Sequence, residues 1–418
     1  MTTFRSSTTG VLSRRFSMVL FVLLALFLAR IAIADEPPTG WEGTIKPGHV
    51  RPHVEFLASR DLGGRAGADT VRAAAYLRQH FVECRLKPLF AENSYEQHIP
   101  GTESDSSEVD DSPRVKPISA TKKPHIVGQN VGAWIEGSDP ELKKELIVLG
   151  VHYDHLGTRN GAIFRGADDN ATGTAMMLEI ARQFSLSKQR PKRSVVFVGF
   201  DMEEQMLWGS RWFVANPPWP IENVKLFITA DMIGRSLGDL PLPTVFVMGS
   251  EHAPQLKSTL DQIGSPRGLE VARLGVDLIG VRSDYGPFWG EKIPFLFLST
   301  GEHSDYHTPR DVPEKIDFDK VAAISSLVLN VIQSAANAEQ APVWTDEVPP
   351  DVDEVRAVLR ITQLLLEADG QRKFTDLQRL IVTQAQNKCQ QLLVKGTFTA
   401  NDRKWLIRTS QLLLLSVF

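Results

Sequence analysis

The sequence predicts an α/β fold: a three-layer α/β/α sandwich with a central mixed, mostly parallel sheet, plus a C-terminal helical extension. Three observations predict it. Between residues 130 and 335 short apolar β-type runs alternate with helical stretches. Those runs are near-continuous Val, Ile, Leu and Phe, which implies strands covered on both faces. Beyond a proline-rich break, the remaining residues keep the apolar spacing of amphipathic helices. The composition is that of an ordinary globular protein: 418 residues, 42% apolar and 23% charged, with 25 prolines and 30 glycines spread along the chain. This excludes collagen, coiled coil and wholesale disorder.

Residues 1–34 read as an export signal, with basic Arg14 and Arg15, an apolar stretch from Phe16 to Ala29, and Ala32-Ile33-Ala34 as an A-x-A cleavage site before Asp35. Arg30 interrupts the apolar run, leaving fewer than the ~20 continuous residues that a bilayer crossing needs. A cleaved signal is therefore expected over a retained anchor, giving an exported, periplasmic or extracellular protein without a stable membrane span. Residues 35–50, rich in Pro and Gly, are expected to be an extended lead-in. Val71 to Phe81 carries helical spacing through Ala74, Ala75, Leu77 and Phe81, and the acidic stretch Glu103 to Pro113 is expected to be a solvated loop.

Within the central unit, bounded at 45–335, strands are expected at Glu145–Val151, Ser194–Phe200, Leu226–Ala230 and Pro294–Ser299. Helices are expected at Thr172–Phe184 and Phe318–Ala335. The break spans Ala336 to Asp351 and holds Pro342, Pro349 and Pro350. The extension, 351–418, shows about three amphipathic helices, expected to pack on the central unit or on a partner. No internal repeat is present. Cys84 and Cys389 are the only cysteines, which excludes a disulfide scaffold and an all-cysteine zinc cage; two inert thiols are expected. Without residues 1–34 the chain has 42 basic against 50 acidic residues, so its charge gives no reason to expect nucleic acid.

The residues able to do chemistry fall at the ends of the expected strands, where ligands collect in α/β sheets. His152 and His155 follow one strand and His303 and His307 another. Asp168 and Asp169 precede a helix, Glu203 and Glu204 follow a strand, and Asp231 ends one. Imidazole nitrogens and carboxylate oxygens are what zinc takes when thiolates are unavailable. His303 and His307 have the spacing of a zincin helix, but no Glu stands beside the first His, and Gly301 and Pro309 argue against a helix there. Asp168-Asp169-Asn170 also fits a helix N-cap, and Glu203-Glu204 a solvated pair.

Taken in order, the segments LASRDLGGR (57–65), GVHYDHLG (150–157), GADDNATG (166–173), MEEQMLWGS (202–210), ADMIGR (230–235), RSDYGPF (282–288) and SDYHTP (304–309) resemble the zinc-dependent exopeptidases of metallopeptidase family 28. The resemblance runs from roughly Val54 to Ile332. It implies two zinc ions, with Asp169 bridging, His152 and Asp231 completing one site, and Glu204 and His307 the other. It further implies Glu203 as general base, Asp154 as the acid holding the first histidine, Tyr306 as a donor to the reacting carbonyl oxygen, and a peptide as substrate. Met206 and Trp208, beside Glu204, depart from the family's commoner Gly and Leu and are expected to narrow the pocket. Only about 28 residues separate His98 from Val127, too few for the lid domain of some relatives. The reading that follows is an aminopeptidase. A single-zinc glutaminyl cyclase and a non-catalytic binding module on the same fold stay open, as do carboxypeptidase and aminoacylase activities.

Overall fold

The computed structural model describes residues 45–101, 125–372 and 374–417. The expected signal at 1–34 and the acidic stretch at 103–113 lie outside the described residues. Strands that are apolar on both faces form the middle of one mixed sheet. These are β4 (Leu146–His152) and β7 (Ser194–Phe200), buried at every position, β8 (Val224–Ala230), and β11 (Phe295–Ser299). β7, β4, β8 and β11 run parallel in that order, so their carboxyl ends share one edge of the sheet.

Antiparallel strands extend the sheet on both sides. β3 (Ile126–Ile135) pairs with β7 and carries β1 (Lys87–Pro88) and β2 (Glu96–Pro100) on its far side. β9 (Thr244–Met248) pairs antiparallel with β11, and β10 (Glu270–Arg273) then runs parallel to β9 at the edge. β5 (Thr158–Arg159) and β6 (Ala162–Ile163) form a separate small hairpin.

Helices cover both faces. α1 (Pro47–Leu57), α2 (Thr70–Glu83), α3 (Gly173–Leu186), α5 (Pro254–Ile263) and α7 (Phe318–Asn337) pack together over one face. α4 (Trp208–Ala215) and α6 (Tyr285–Gly290) lie on the other. Helix α7 starts where Asp317 accepts a hydrogen bond from the Lys320 backbone, an N-cap typically contributing about 1 kcal/mol. Between α4, α6 and the sheet, Phe288 stacks on Phe227 with ring centroids 3.7 Å apart, and Phe213 packs against Phe200 and Phe288. Each such ring contributes about 2 kcal/mol or more by leaving water. The lead-in expected to stay extended to residue 50 becomes helical at Pro47, because proline's fixed φ suits the first helical position.

The extension is helical: α8 (Val352–Glu367), α9 (Asp376–Lys395) and α10 (Ala400–Val417). It packs on the central unit. Leu365, Phe374, Val382 and Leu413 share one apolar cluster with Phe246, Phe297 and Val276, and α8 lies along edge strand β10. Charged contacts tie the same boundary. Arg403 of α10 donates bidentately to Asp277 at 2.6 and 2.8 Å and to buried Glu354 of α8 at 2.8 and 2.9 Å. Both thiols are free, Cys84 half-buried and Cys389 buried. Among the described residues no helix is long and apolar enough to cross a membrane.

Arg403→Met leaves Glu354 buried and uncompensated, and is expected to cost about 2–4 kcal/mol in urea unfolding at neutral pH. Adding Glu354→Gln removes the stranded charge and is expected to restore about 1 kcal/mol or more of that loss.

Candidate active site

The parallel order of β7, β4, β8 and β11 brings the loops after these strands to one edge. β4 ends in His152, β8 is followed at once by Asp231, and β7 is followed by the turn carrying Glu203 and Glu204. In that turn Met202, Met206 and Leu207 all take left-handed φ values near 60°, which folds the chain back before α4. The Asp169 segment leads into α3 as an irregular turn over Ala167–Thr172, with a cis bond between Asp169 and Asn170.

Around Asp169 the donors converge. His152 Nε2 lies 3.4 Å from both Asp169 Oδ1 and Asp231 Oδ1. On the other side of the same carboxylate, His307 Nε2 lies 3.1 Å from Asp169 Oδ2 and 3.2 Å from Glu204 Oε2. The five residues that the resemblance implies as ligands are thus brought together. His155 joins them: its Nδ1 is 2.8 Å from Glu204 Oε1 and 3.7 Å from Asp169 Oδ2. Two groups have donor atoms mutually close enough to hold an ion, His152 with Asp169 and Asp231, and His155 with Asp169 and Glu204. Whereas His155 is fully buried, the His307 side chain is 37% exposed and faces the open side of the cluster.

The electrostatics follow from burial and proximity. Burial pushes the Glu203 carboxyl well above the usual carboxylate range; His152 opposes this, while Asp284, Asp231 and Asp154 add to it. Burial would raise Glu204 too, but hydrogen bonds with His155 and His307 hold it well below that range. Burial works against a charged His307, yet hydrogen bonds to Asp169 and Glu204 raise it to about 10. Burial pushes the Tyr306 hydroxyl far above its ordinary value, and its ring stacks on His307 with centroids 3.9 Å apart.

Several placements differ from the reading of the sequence. Asp154 stands 3.6 Å from His152 Nδ1, beyond a hydrogen bond, and accepts instead from the backbone N–H groups of Glu203 (3.2 Å) and Glu204 (3.4 Å). Within Asp168-Asp169-Asn170 the capping contact falls to Asn170, whose Oδ1 accepts from Gly173 N at 2.9 Å, whereas Asp168 Oδ1 accepts from Gly234 N at 2.6 Å and from the Thr172 hydroxyl, and its Oδ2 faces His303 Nε2 at 3.4 Å. Met206 is 74% exposed. Two supporting residues were given no role by the sequence. Buried Asp311 accepts from Asp168 N and Asp169 N at 3.0–3.1 Å, fixing the turn that presents Asp169. Buried Asp284 has both oxygens without a hydrogen-bond partner among the described residues; RSDYGPF shows its position but not this role.

Residues 130–332 match the family described as Peptidase family M28. This chain carries a peptidase family M28 domain. Leupeptin-inactivating enzyme 1 of Streptomyces exfoliatus is 31% identical over 185 residues, 43% of this chain and 37% of that protein. A glutaminyl-peptide cyclotransferase of the snake Boiga dendrophila is 29% identical over 226 residues, 45% of this chain and 61% of that protein. The chain therefore spans less than two thirds of either relative. The LapA aminopeptidase of Legionella pneumophila superposes with a TM-score of 0.52 at 20% identity, covering 71% of this chain and 72% of that one, a likeness of fold. The M28 match contains both histidine pairs and every carboxylate of the cluster.

Gly166 sets the geometry of the M28 domain's Asp169 turn. Its φ is 55°, and a Cβ there would lie 2.2 Å from the Asp169 carbonyl oxygen and 2.6 Å from the His155 ring. Gly161 has φ 77° with open space around it. Gly161→Ala is expected to cost only the left-handed penalty, about 1–2 kcal/mol. Gly166→Ala adds a backbone clash and is expected to cost about 3 kcal/mol or more. Denaturant unfolding of the two variants measures the difference.

Proposed function

We propose that this protein is a zinc-dependent exopeptidase, and specifically an aminopeptidase with two zinc ions. The observation that carries the reading is the donor set around Asp169. Among the described residues, buried His152 Nε2 and Asp231 Oδ1 have no hydrogen-bond partner although they face each other and Asp169. A buried imidazole nitrogen and buried carboxylate oxygens that converge without hydrogen-bond partners fit a cation. In this reading His152, Asp169 and Asp231 hold one ion, and Asp169, Glu204 and His307 the other. Zinc bound there supplies Lewis acidity, polarising a peptide carbonyl and making water a better nucleophile.

The chain's own residues do the rest. Glu203, whose burial keeps its proton affinity high, takes the water proton and delivers it to the leaving amine, a step typically worth on the order of 10² to 10⁴ in rate. Tyr306 keeps its proton and donates to the oxyanion. Asp154 holds Glu203 and Glu204 through their backbone N–H groups, so base and ligand stay in fixed relation. His155 orients Glu204 from the buried side, as outer partners of metal ligands do. The pattern of residues 1–34 extends the proposal to export, with a mature chain beginning near Asp35 and bounded units at 45–335 and 351–418.

The relative named as a glutaminyl-peptide cyclotransferase supports a second reading, a single-zinc cyclase. Two zinc ions per chain and release of N-terminal residues from a panel of aminoacyl, N-blocked and C-terminal peptide substrates support the aminopeptidase; one zinc with pyroglutamyl product supports the cyclase.

Chelation is expected to abolish hydrolysis and lower the melting temperature, because metal binding adds its free energy to the native state alone. Hydrolysis persisting after verified zinc removal contradicts the mechanism. Glu203→Gln is expected to keep its zinc and lose nearly all turnover, since an amide preserves shape but cannot take the proton. Glu204→Gln is expected to lose zinc affinity itself. Metal content and rate measured on both variants separate the roles.

A further inference from the structure

Arg65 closes the segment LASRDLGGR, yet the mechanism above gives it no task. Its side chain is completely buried. A guanidinium has five N–H donors, and all five are used here, each on a backbone carbonyl. Nε donates to Tyr153 O at 2.7 Å, Nη1 to Leu57 O and Arg165 O at 2.7 Å each, and Nη2 to Gly166 O at 2.8 Å and Asp169 O at 3.3 Å. The backbone of the same residue completes the contact: His155 N donates to Arg65 O at 3.0 Å.

These acceptors lie in three places. Leu57 ends α1. Tyr153 follows His152 and precedes Asp154, and Arg165, Gly166 and Asp169 belong to the turn that presents the central carboxylate. One planar, rigid group therefore spans the His152 loop and the Asp169 turn, whose side chains approach each other at 3.4 Å (His152 to Asp169) and 3.7 Å (His155 to Asp169). No carboxylate takes any of the five bonds, so the geometry of this residue is spent on backbone position.

We propose that Arg65 is the positioning residue of the metal centre, fixing the distance between His152 and Asp169 by clamping the carbonyls of Tyr153, Gly166 and Asp169. The inference rests on the zinc reading above. Lysine carries the same charge but three donors from one nitrogen, which cannot reach three segments at once. Arg65→Lys consequently separates geometry from charge.

Arg193 is the control. It is 1% exposed and its Nη1 binds the carbonyls of Ala335 and Ala338, with Nε on Glu145, at the far end of β7 from the cluster. Zinc affinity of the apo full-length chain is measured by competition with a chromophoric chelator, and the coordination sphere by the visible absorption of the cobalt(II) form. Arg65→Lys is expected to weaken zinc binding by tenfold or more and to alter the cobalt spectrum, with Arg193→Lys leaving both at wild-type values. Wild-type affinity and spectrum in Arg65→Lys overturn the proposal.

Should Arg65→Lys fail to fold, the wild-type protein still decides the matter. Coupling is reciprocal, so zinc must stabilise the Arg65 clamp as much as the clamp stabilises zinc. Arginine Nε–H exchange followed by nitrogen-15 NMR is expected to slow at Arg65 when zinc is added and to stay unchanged at Arg193. Equal behaviour of the two arginines overturns the proposal. A wild-type chain that takes up no zinc instead refutes the zinc reading itself, so the two failures are distinguishable.

Discussion

The rest of the structure depends on burying an acidic cluster at the edge of an apolar sheet. Asp154, Asp168, Asp169, Asp201, Asp231, Asp284 and Asp311 are all buried, with Glu204 largely so, and His152, His155 and His303 are buried among them. An ionised carboxylate removed from water without compensation costs several kcal/mol. The chain compensates most of them with backbone N–H groups. Asp311 takes two, Asp201 takes those of Gln129 and Met202, Asp154 takes two, and Asp168 takes that of Gly234. Where the backbone cannot reach, around Asp169 and Asp231, imidazoles face the carboxylates.

This constraint explains why the loops are irregular. Beyond the first turn of a helix, a helix or strand directs its N–H groups along its own ladder, leaving few for a side chain. The left-handed residues after β7 and the broken turn before α3 release N–H groups, and the loops use them on carboxylates. Regular structure gives way at the residues of this cluster because continuing it would strand those charges.

How much of this was legible follows from the same physics. The central strands could be read because β4, β7 and β11 are apolar on both faces and announce themselves as runs. β3 and β10 could not: β3 mixes Gly128, Gln129, Asn130 and Gly132 into its pattern, and β10 is four half-buried residues. Helix α1 was partly hidden in a Pro- and Gly-rich stretch, where composition suggested extension while the position of Pro47 suited a helix start. In the site, His152, Asp169, Glu204, Asp231 and His307 were visible because their side-chain chemistry is distinctive and falls at strand ends, and their grouping in space agrees with the resemblance. The partner of Asp154 was not visible, since backbone N–H groups are common to all residue types. Arg65 and Asp311 escaped for the same reason: each acts on main-chain atoms, which leave no trace in sequence spacing.

The position of α8 along β10 matters for the chain's behaviour among its own copies. β10 is the last strand of an open sheet, and an uncovered edge offers unpaired amide groups to any extended segment that approaches. With α8 alongside, held by Arg360 on Glu270 and Arg273 on Asp353, that edge is screened by a helix whose backbone is already satisfied. The C-terminal helices thus stand beside the strand at which a further strand would add, a placement independent of peptide chemistry.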